Sequence, residues 1–313
     1  MAFNKKIVSR RKNKHVNKDV EKVIIMGCPR SGTTFLSTIF DCLPEAESLM
    51  GTLLPPAIPA IARQVKDEAV YKSLAISFER AIETYLHSGR FFSRASALQK
   101  WMNAPNGFKS LREAAKGKRS IDIFIYKEPT LAYAPNWVIE ALPDAKYILI
   151  HRDGRDVANS LVRSYNVLSD EGLKDVDGNK LFKIFGTRVD DRYVPWWVDE
   201  AEADDFLRCS QFGRAIWMWK YMVRQCQDDM VLSGRLTDEQ LHVITYEEMM
   251  REPARIGAEL VEFLEVDQNK RYSRRLLTAH TRSIGKYSSR PAAEIEEAER
   301  VAHRELTELG YLT

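Results

Sequence analysis

Val23 to Leu43 reads VIIMGCPRSGTTFLSTIFDCL, and the order of residue types in it decides the fold. Val23 to Met26 is an uninterrupted apolar run of the kind that forms a strand buried on both faces. The glycine-bounded loop Gly27 to Gly32 follows, and beyond it Phe35, Leu36, Ile39, Phe40 and Leu43 recur at helical spacing. Strand, tight loop and helix in that order make an anion site. The first N–H groups of a helix have no carbonyl partner and carry the positive end of its dipole, and glycines let an anionic group approach the backbone closely.

Set against the ATP-binding pattern GxxxxGK[ST], Gly27 to Thr34 matches at both glycines and at the final threonine. Thr33 stands where a nucleotide triphosphatase needs a lysine, and a cation comes earlier, at Arg30. The loop therefore suits a single 5′-phosphate and brings a fixed charge to whatever is attached to it. Such short patterns also arise by chance in loops, so the rest of the chain has to decide.

A chain of 313 residues is long enough for one large α/β domain or two small ones. Its net charge of +3 is unevenly placed, because residues 1–22 hold eight Lys/Arg against Asp19 and Glu21. The remainder, with 39 bases and 42 acids, nets −3 and is no general polyanion binder. Residues 1–20 are expected to form a disordered basic tail with no specific nucleic-acid partner; they are too poor in apolar residues for a signal peptide or a membrane span. No later run approaches the ~18 apolar residues of a transmembrane segment. Cys28, Cys42, Cys209 and Cys226 lack CxxC or metal-ligand spacing, and reduced thiols in a cytoplasmic protein are the expectation.

Along the chain, Pro44, Pro55, Pro56 and Pro59 forbid one continuous helix after the first. Helical patterns then run from about 60 to 86 and from 95 to 116, with Phe91, Phe92, Arg94 and Trp101 crowded between them as acceptor-pocket lining or ordinary core. Ile121 to Pro129 reads as a second buried strand that delivers Lys127 and Glu128 at its carboxyl end, where open parallel sheets bind ligands. A short helix from Pro135 to Leu142 leads to a third strand, Lys146 to Ile150, and then to HRDGRDVANSLVRSY. There Arg152 closes the strand and Ser160 lies about two turns on, so that cation and hydroxyl can grip one phosphate; alternating Arg and Asp can equally form a surface salt-bridge lattice. Residues 166–210 show no regular periodicity. A helix from Phe212 to Gln227, a strand from Leu241 to Thr245 ending at Tyr246, and an amphipathic helix from about 292 to 309 capped by Gly310 complete the reading.

Together GCPRSGTT, KEP and RDGRDVANS, each after its own strand, resemble the sulfotransferases that use 3′-phosphoadenosine 5′-phosphosulfate (PAPS). The wording PRSGTT looks more like the protein-tyrosine sulfotransferases and their bacterial relatives than the small-molecule cytosolic enzymes, which carry lysine where Arg30 stands. The resemblance implies an α/β fold in a single domain, with a P-loop-like parallel sheet and helices on both faces. It further implies that Arg30, Ser31, Gly32, Thr33 and Thr34 hold the 5′-phosphosulfate, that Arg152 and Ser160 hold the 3′-phosphate, and that Tyr246 packs against the nucleotide. Ser283 and Lys286 stand where relatives close a loop over PAPS, although the RKG triplet of the small-molecule enzymes is absent.

The implied activity is sulfuryl transfer from PAPS to an acceptor hydroxyl or amine, with Arg30 and Lys127 stabilising charge and no metal required. The acceptor class stays open, as does the oligomeric state. The general base departs from the relatives: the glutamate that protein-tyrosine sulfotransferases place 21 residues after the loop arginine falls on Gly51, which leaves Glu47 as the nominated base beside Glu45 and Glu128. The alternatives are a nucleotide-binding protein without catalysis and, further off, a P-loop kinase.

Overall fold

In the computed structural model, which describes residues 20–51, 53–55, 57–87, 110, 121–174 and 185–312, the apolar run of the quoted stretch becomes β1, Glu21–Met26, the middle strand of a parallel sheet. The basic tail, the helix expected over 95–116 and the aromatic group at 91–101 lie outside the described residues. The loop after β1 leads into α1, Thr33–Phe40. Then come β2, Ala46–Met50, and two helices, α2 at Ala57–Gln64 and α3 at Glu68–His87. The sequence pattern ran these two together; Asp67 separates them by accepting the Val70 N–H at 3.0 Å, which starts a new helix.

β3 spans Ile123–Lys127, α4 Pro135–Ala141, β4 Lys146–His151 and α5 Gly154–Tyr165. The segment expected to be irregular contains short helices at Asp170–Lys174 and Ala203–Arg208 and an antiparallel hairpin of β5, Thr187–Val189, with β6, Arg192–Val194. Three-residue strands are too short to print a period of two on the sequence. Beyond it lie α6 at Gln211–Cys226, a π-helical turn at Gln227–Leu232, β7 at Leu241–Thr245, α7 at Tyr246–Arg251, α8 at Pro253–Phe263 and α9 at Lys270–Leu276. The final helix is broken at Ala302 into α10, Ala292–Val301, and α11, His303–Glu308, with Gly310 at φ 75° just past its end.

The sheet order is β2-β3-β1-β4-β7 with every neighbouring pair parallel. Alternate residues of β1 serve two cores, as a strand buried on both faces requires. Ile24 and Met26 pack with α3, α4, α5 and α6, whereas Val23 and Ile25 pack with α1, α7, α8 and α9. Consequently α1 and α5, which follow the adjacent strands β1 and β4, leave on opposite faces of the sheet. The crevice between their starts, beyond the strand ends, is where an open parallel sheet accepts ligands.

Candidate active site

At that crevice the loop after β1 is held in a shape few sequences allow. A Cβ on Gly27 would lie 2.5 Å from the Ile150 carbonyl oxygen, and one on Gly32, at φ 96°, would lie 2.6 Å from the Tyr246 ring. Arg30 itself sits at φ 75°, a left-handed conformation uncommon outside glycine. The loop is closed by the Ser31 N–H donating to the Cys28 carbonyl at 3.1 Å. Gly32 is the N-cap of α1 and supplies no side-chain acceptor, so the first N–H groups of the helix stay available to an anion.

Opposite the loop, α5 forms a wall. Its N-cap Asp153 accepts from the Arg155 N–H, and Trp219 of α6 donates its ring N–H to the Arg152 carbonyl at 3.1 Å, fixing the turn between β4 and α5. Gly154 is required there because a Cβ would meet the Trp219 ring at 2.5 Å. Trp219 is fully buried in the core, and its N–H also positions the Arg152 backbone.

Between loop and wall is a cavity of about 470 Å³ lined by Arg30, Gly32, Thr33 and Thr34 on one side and Arg152, Ser160, Tyr246, Ser283 and Lys286 on the others. Thus the two motifs, the tyrosine after β7 and the C-terminal loop, 256 residues from Arg30 to Lys286, meet at one place. Ser31 does not line it; its hydroxyl is buried behind the surface with no hydrogen-bond partner among the described residues.

The Arg152 guanidinium is buried and largely engaged. It donates to the Arg30 carbonyl at 2.7 Å and to the Ser283 carbonyl at 2.6 Å, lies 3.8 Å from Asp156, and stacks over the Tyr246 ring at 4.2 Å. Its Nε has no partner among the described residues. Arg152 therefore ties the loop to the C-terminal segment as well as offering charge to the cavity. Arg30 is less constrained: it is exposed, donates through Nε to Ser160 Oγ at 2.8 Å, and reaches the Tyr165 hydroxyl at 3.4 Å. The RD segment thereby divides its labour. Arg155 points away into a brace with Asp153 at 2.8 Å and Glu299 at 2.5 Å, a buried counterpart of the salt-bridge lattice considered above.

The C-terminal loop is strapped down by Asp156, whose carboxylate accepts the Gly285 N–H at 2.6 Å and the Tyr287 N–H at 3.1 Å. Burial pushes its carboxyl group above the usual range, while these two donors and Arg152 pull the other way. His151, buried beside Arg152 at the end of β4, contacts Gln227 Nε2 at 3.0 Å and is held neutral, its pKa brought down to about 4 by burial.

Lys127 ends β3, partly buried, and its ammonium makes no hydrogen bond or ion pair among the described residues. Burial lowers its pKa, Glu128 opposes the fall, and the Arg30 charge adds to it. The nominated base Glu47 lies in the middle of β2, fully buried, with the Tyr85 hydroxyl 3.5 Å from its carboxylate; like Lys127 and Glu128, it is not among the residues that line the cavity. Glu45 precedes β2, at the end of the sheet away from the site. Glu128 follows β3, and its Oε1 caps the next turn by accepting from Thr130 N and Oγ1, both at 3.1 Å. Its Oε2 lies 3.5 Å from where a Cβ on Gly51 would stand.

Phe35, Asp156, Asn159, Arg163 and Ser164 also line the cavity and were not read from the sequence. Asp156, Asn159, Ser160, Arg163 and Ser164 fall at spacings of three and four, so extending the helical stripe from Ser160 in both directions finds them.

The model of the sulfotransferase family matches residues 22–208 of the chain. No curated protein matches it significantly. Among solved structures the chain is similar to the sulfotransferase domain from the curacin biosynthetic pathway, at 17% identity over 94% of this chain and 99% of that one, with a TM-score of 0.49. It is also similar to a sulfotransferase from Mycobacterium avium, at 16% identity over 93% and 77% with a TM-score of 0.45. A mouse sulfotransferase complexed with PAP, 3′-phosphoadenosine 5′-phosphate, aligns at 12% identity over 94% and 87% with a TM-score of 0.42.

With its family match covering more than half of the sequence, the chain belongs to the sulfotransferase family. It folds as a single α/β domain, and its activity is sulfuryl transfer.

Proposed function

We propose that the cavity between the Gly27–Gly32 loop and α5 is the donor-nucleotide site, and that the chain transfers sulfuryl groups there to an acceptor hydroxyl or amine in the cytoplasm. The observation that carries the reading is the convergence of the α1 N-terminus, Arg30, Arg152 and Lys286 on one cavity. Arg152 Nε, a polar atom buried at it without a partner among the described residues, fits an anionic ligand. The four cysteines are buried and free, in keeping with a reducing compartment, and no described helix is long and apolar enough to cross a membrane.

PAPS supplies a sulfuryl group joined through an oxygen to its 5′-phosphate. The N–H groups of Gly32, Thr33 and Thr34 would hold that phosphate at the helix start, and Arg152 with Ser160 the 3′-phosphate. Arg30 and Lys127 would stabilise the charge that collects on the bridging oxygen as the sulfur–oxygen bond breaks. Glu128 replaces Glu47 as the proposed base. It takes the acceptor proton as the acceptor oxygen or nitrogen bonds to sulfur and PAP leaves, and its Oε2, which makes no hydrogen bond among the described residues, lies in the neighbourhood of the side chain that Gly51 lacks.

The test is label transfer from sulfur-labelled PAPS to fractionated acceptor pools. Glu128→Gln keeps the oxygen that caps Thr130 but removes the base, so turnover should fall about 10²–10⁴-fold with PAP affinity unchanged. Full turnover in this variant would reject Glu128, and an absence of transfer to any pool alongside tight PAP binding would favour a non-catalytic nucleotide-binding protein.

A further inference from the structure

We propose that the exposed face running from α9 to the turn at Thr281–Ser283 docks on an anionic lipid surface. Residues 268–293 hold seven Lys/Arg and no Asp or Glu, in a chain that nets −3 beyond residue 22. Three of these cations, Lys270, Arg271 and Arg274, are exposed on α9, with Arg274 four residues from the first and three from the second. Three residues further the same stripe ends at Leu277, which at 74% is the most exposed large apolar side chain among the described residues. Arg282, also exposed, continues the face toward Ser283. The side chains of these four cations make no hydrogen bond or ion pair among the described residues.

The helix that carries the stripe is fixed from behind. Tyr272 and Leu276 are buried in the core, while Asn269 caps the helix start and donates its side-chain amide to the Cys42 carbonyl at 3.1 Å. Acids close by in sequence lie before the basic run, and two of them are engaged: Glu259 pairs with Arg255 at 2.7 Å and Glu265 with Lys146 at 2.9 Å, which leaves Glu262 and Asp267. Lys146 also holds Glu21 at 3.2 Å, so the basic segment 1–20 joins the body beside the approach to α9.

Unpaired cations around one exposed leucine match a bilayer surface, where anionic headgroups meet the charges and the leucine enters the acyl boundary. A single-stranded nucleic acid would call for exposed aromatic rings on which bases stack, and the two tyrosines of the segment, Tyr272 and Tyr287, are not exposed. The face also borders the cavity. Arg275 lies over the Phe35 ring at 5.2 Å, and both Phe35 and Ser283 line the cavity, so docking places the cavity beside the lipid. A simpler account is that the cations only keep a surface helix hydrated, which predicts no preference for anionic vesicles and no part for Leu277.

Co-sedimentation of the full chain with vesicles separates the two, using phosphatidylcholine alone and equal parts of phosphatidylcholine and phosphatidylglycerol. The wild type should bind the mixed vesicles in preference, and less as salt rises. A cation near an anionic surface strengthens binding by about fivefold, so Arg271→Gln with Arg274→Gln should weaken it about 25-fold. Leu277→Asn should weaken it about threefold or more at every salt concentration, since apolar burial is not screened. Arg188→Gln with Arg304→Gln, an equal change of net charge on exposed residues elsewhere, should bind as the wild type does. Equal losses in the two double variants, binding untouched by Leu277→Asn, or no preference for the mixed vesicles overturns the proposal. Tighter binding to double-stranded DNA than to vesicles, lost with Arg271 and Arg274 but kept in Leu277→Asn, overturns it in favour of a polyanion. Affinity for PAP and the thermal midpoint should match wild type in every variant, so that failure of the docking face leaves the donor site standing.

Discussion

Arg30 combines a left-handed backbone with a side chain reaching across the cavity, an arrangement with no packing purpose because the side chain is exposed. A cation so placed is useful when it meets charge that grows in the transition state, which raises turnover without tightening the ground state. Arg30→Ala should lower kcat by about 10²–10³ and change PAP affinity much less; a large affinity loss with normal kcat would confine Arg30 to phosphate binding. Lys127 presents the opposite trade, being a partly buried cation that makes no hydrogen bond or ion pair among the described residues, with the Glu128 charge only partly offsetting its desolvation. Since burial lowers its folded pKa, the unfolded chain binds the extra proton between that value and 10.5, and stability rises with pH through this window. Lys127→Met should flatten the rise and leave the neutral-pH melting temperature unchanged or higher while turnover falls. Parallel denaturation curves for wild type and variant across that range would sink this account.

At the scale of elements, sequence legibility followed burial. β1, β3 and β4 were readable because strands buried on both faces are continuous apolar runs, and the observed bounds differ from the expected ones by two residues or fewer. β2 was not readable: its sequence AESLM carries a fully buried Glu47 on an edge strand, with the Tyr85 hydroxyl of α3 3.5 Å from the carboxylate. The loop and Arg152 announced the site through side-chain chemistry, whereas the strap at Ser283–Tyr287 is attached through backbone N–H groups that leave no signature in residue type. This attachment is testable. Asp156→Asn keeps one acceptor but turns an NH₂ group toward the second donor, so PAP should bind about tenfold more weakly and amide exchange across 283–289 should accelerate. Unchanged exchange with weakened binding would mean that Asp156 acts through Arg152 alone.

On the scale of the whole molecule, the cavity joins both faces of the sheet and segments from both ends of the described chain. A ligand there should couple them into one cooperative unit. PAP at about 100 times its dissociation constant should add roughly 2.7 kcal/mol of stability, with exchange protection in residues 27–34 and 283–289 together. Protection confined to the first segment, with ATP stabilising as well as PAP, would return the site to the kinase reading.

The strap also fixes when in its own biosynthesis the protein can first meet its nucleotide. Arg30 leaves the ribosome 256 residues ahead of Lys286, a delay of about 13–51 s at ordinary elongation rates of ~5–20 residues per second. Through that interval the phosphate loop, Arg152 and Ser160 emerge in turn as an open shelf lacking Tyr246 and the carbonyl of Ser283. A nascent chain can fold around β1, β3 and β4 without the donor, but it cannot enclose one. Closure of the cavity thus waits for the C-terminal loop to emerge, and a molecule cut short before residue 283 keeps both sequence motifs while lacking the closed site.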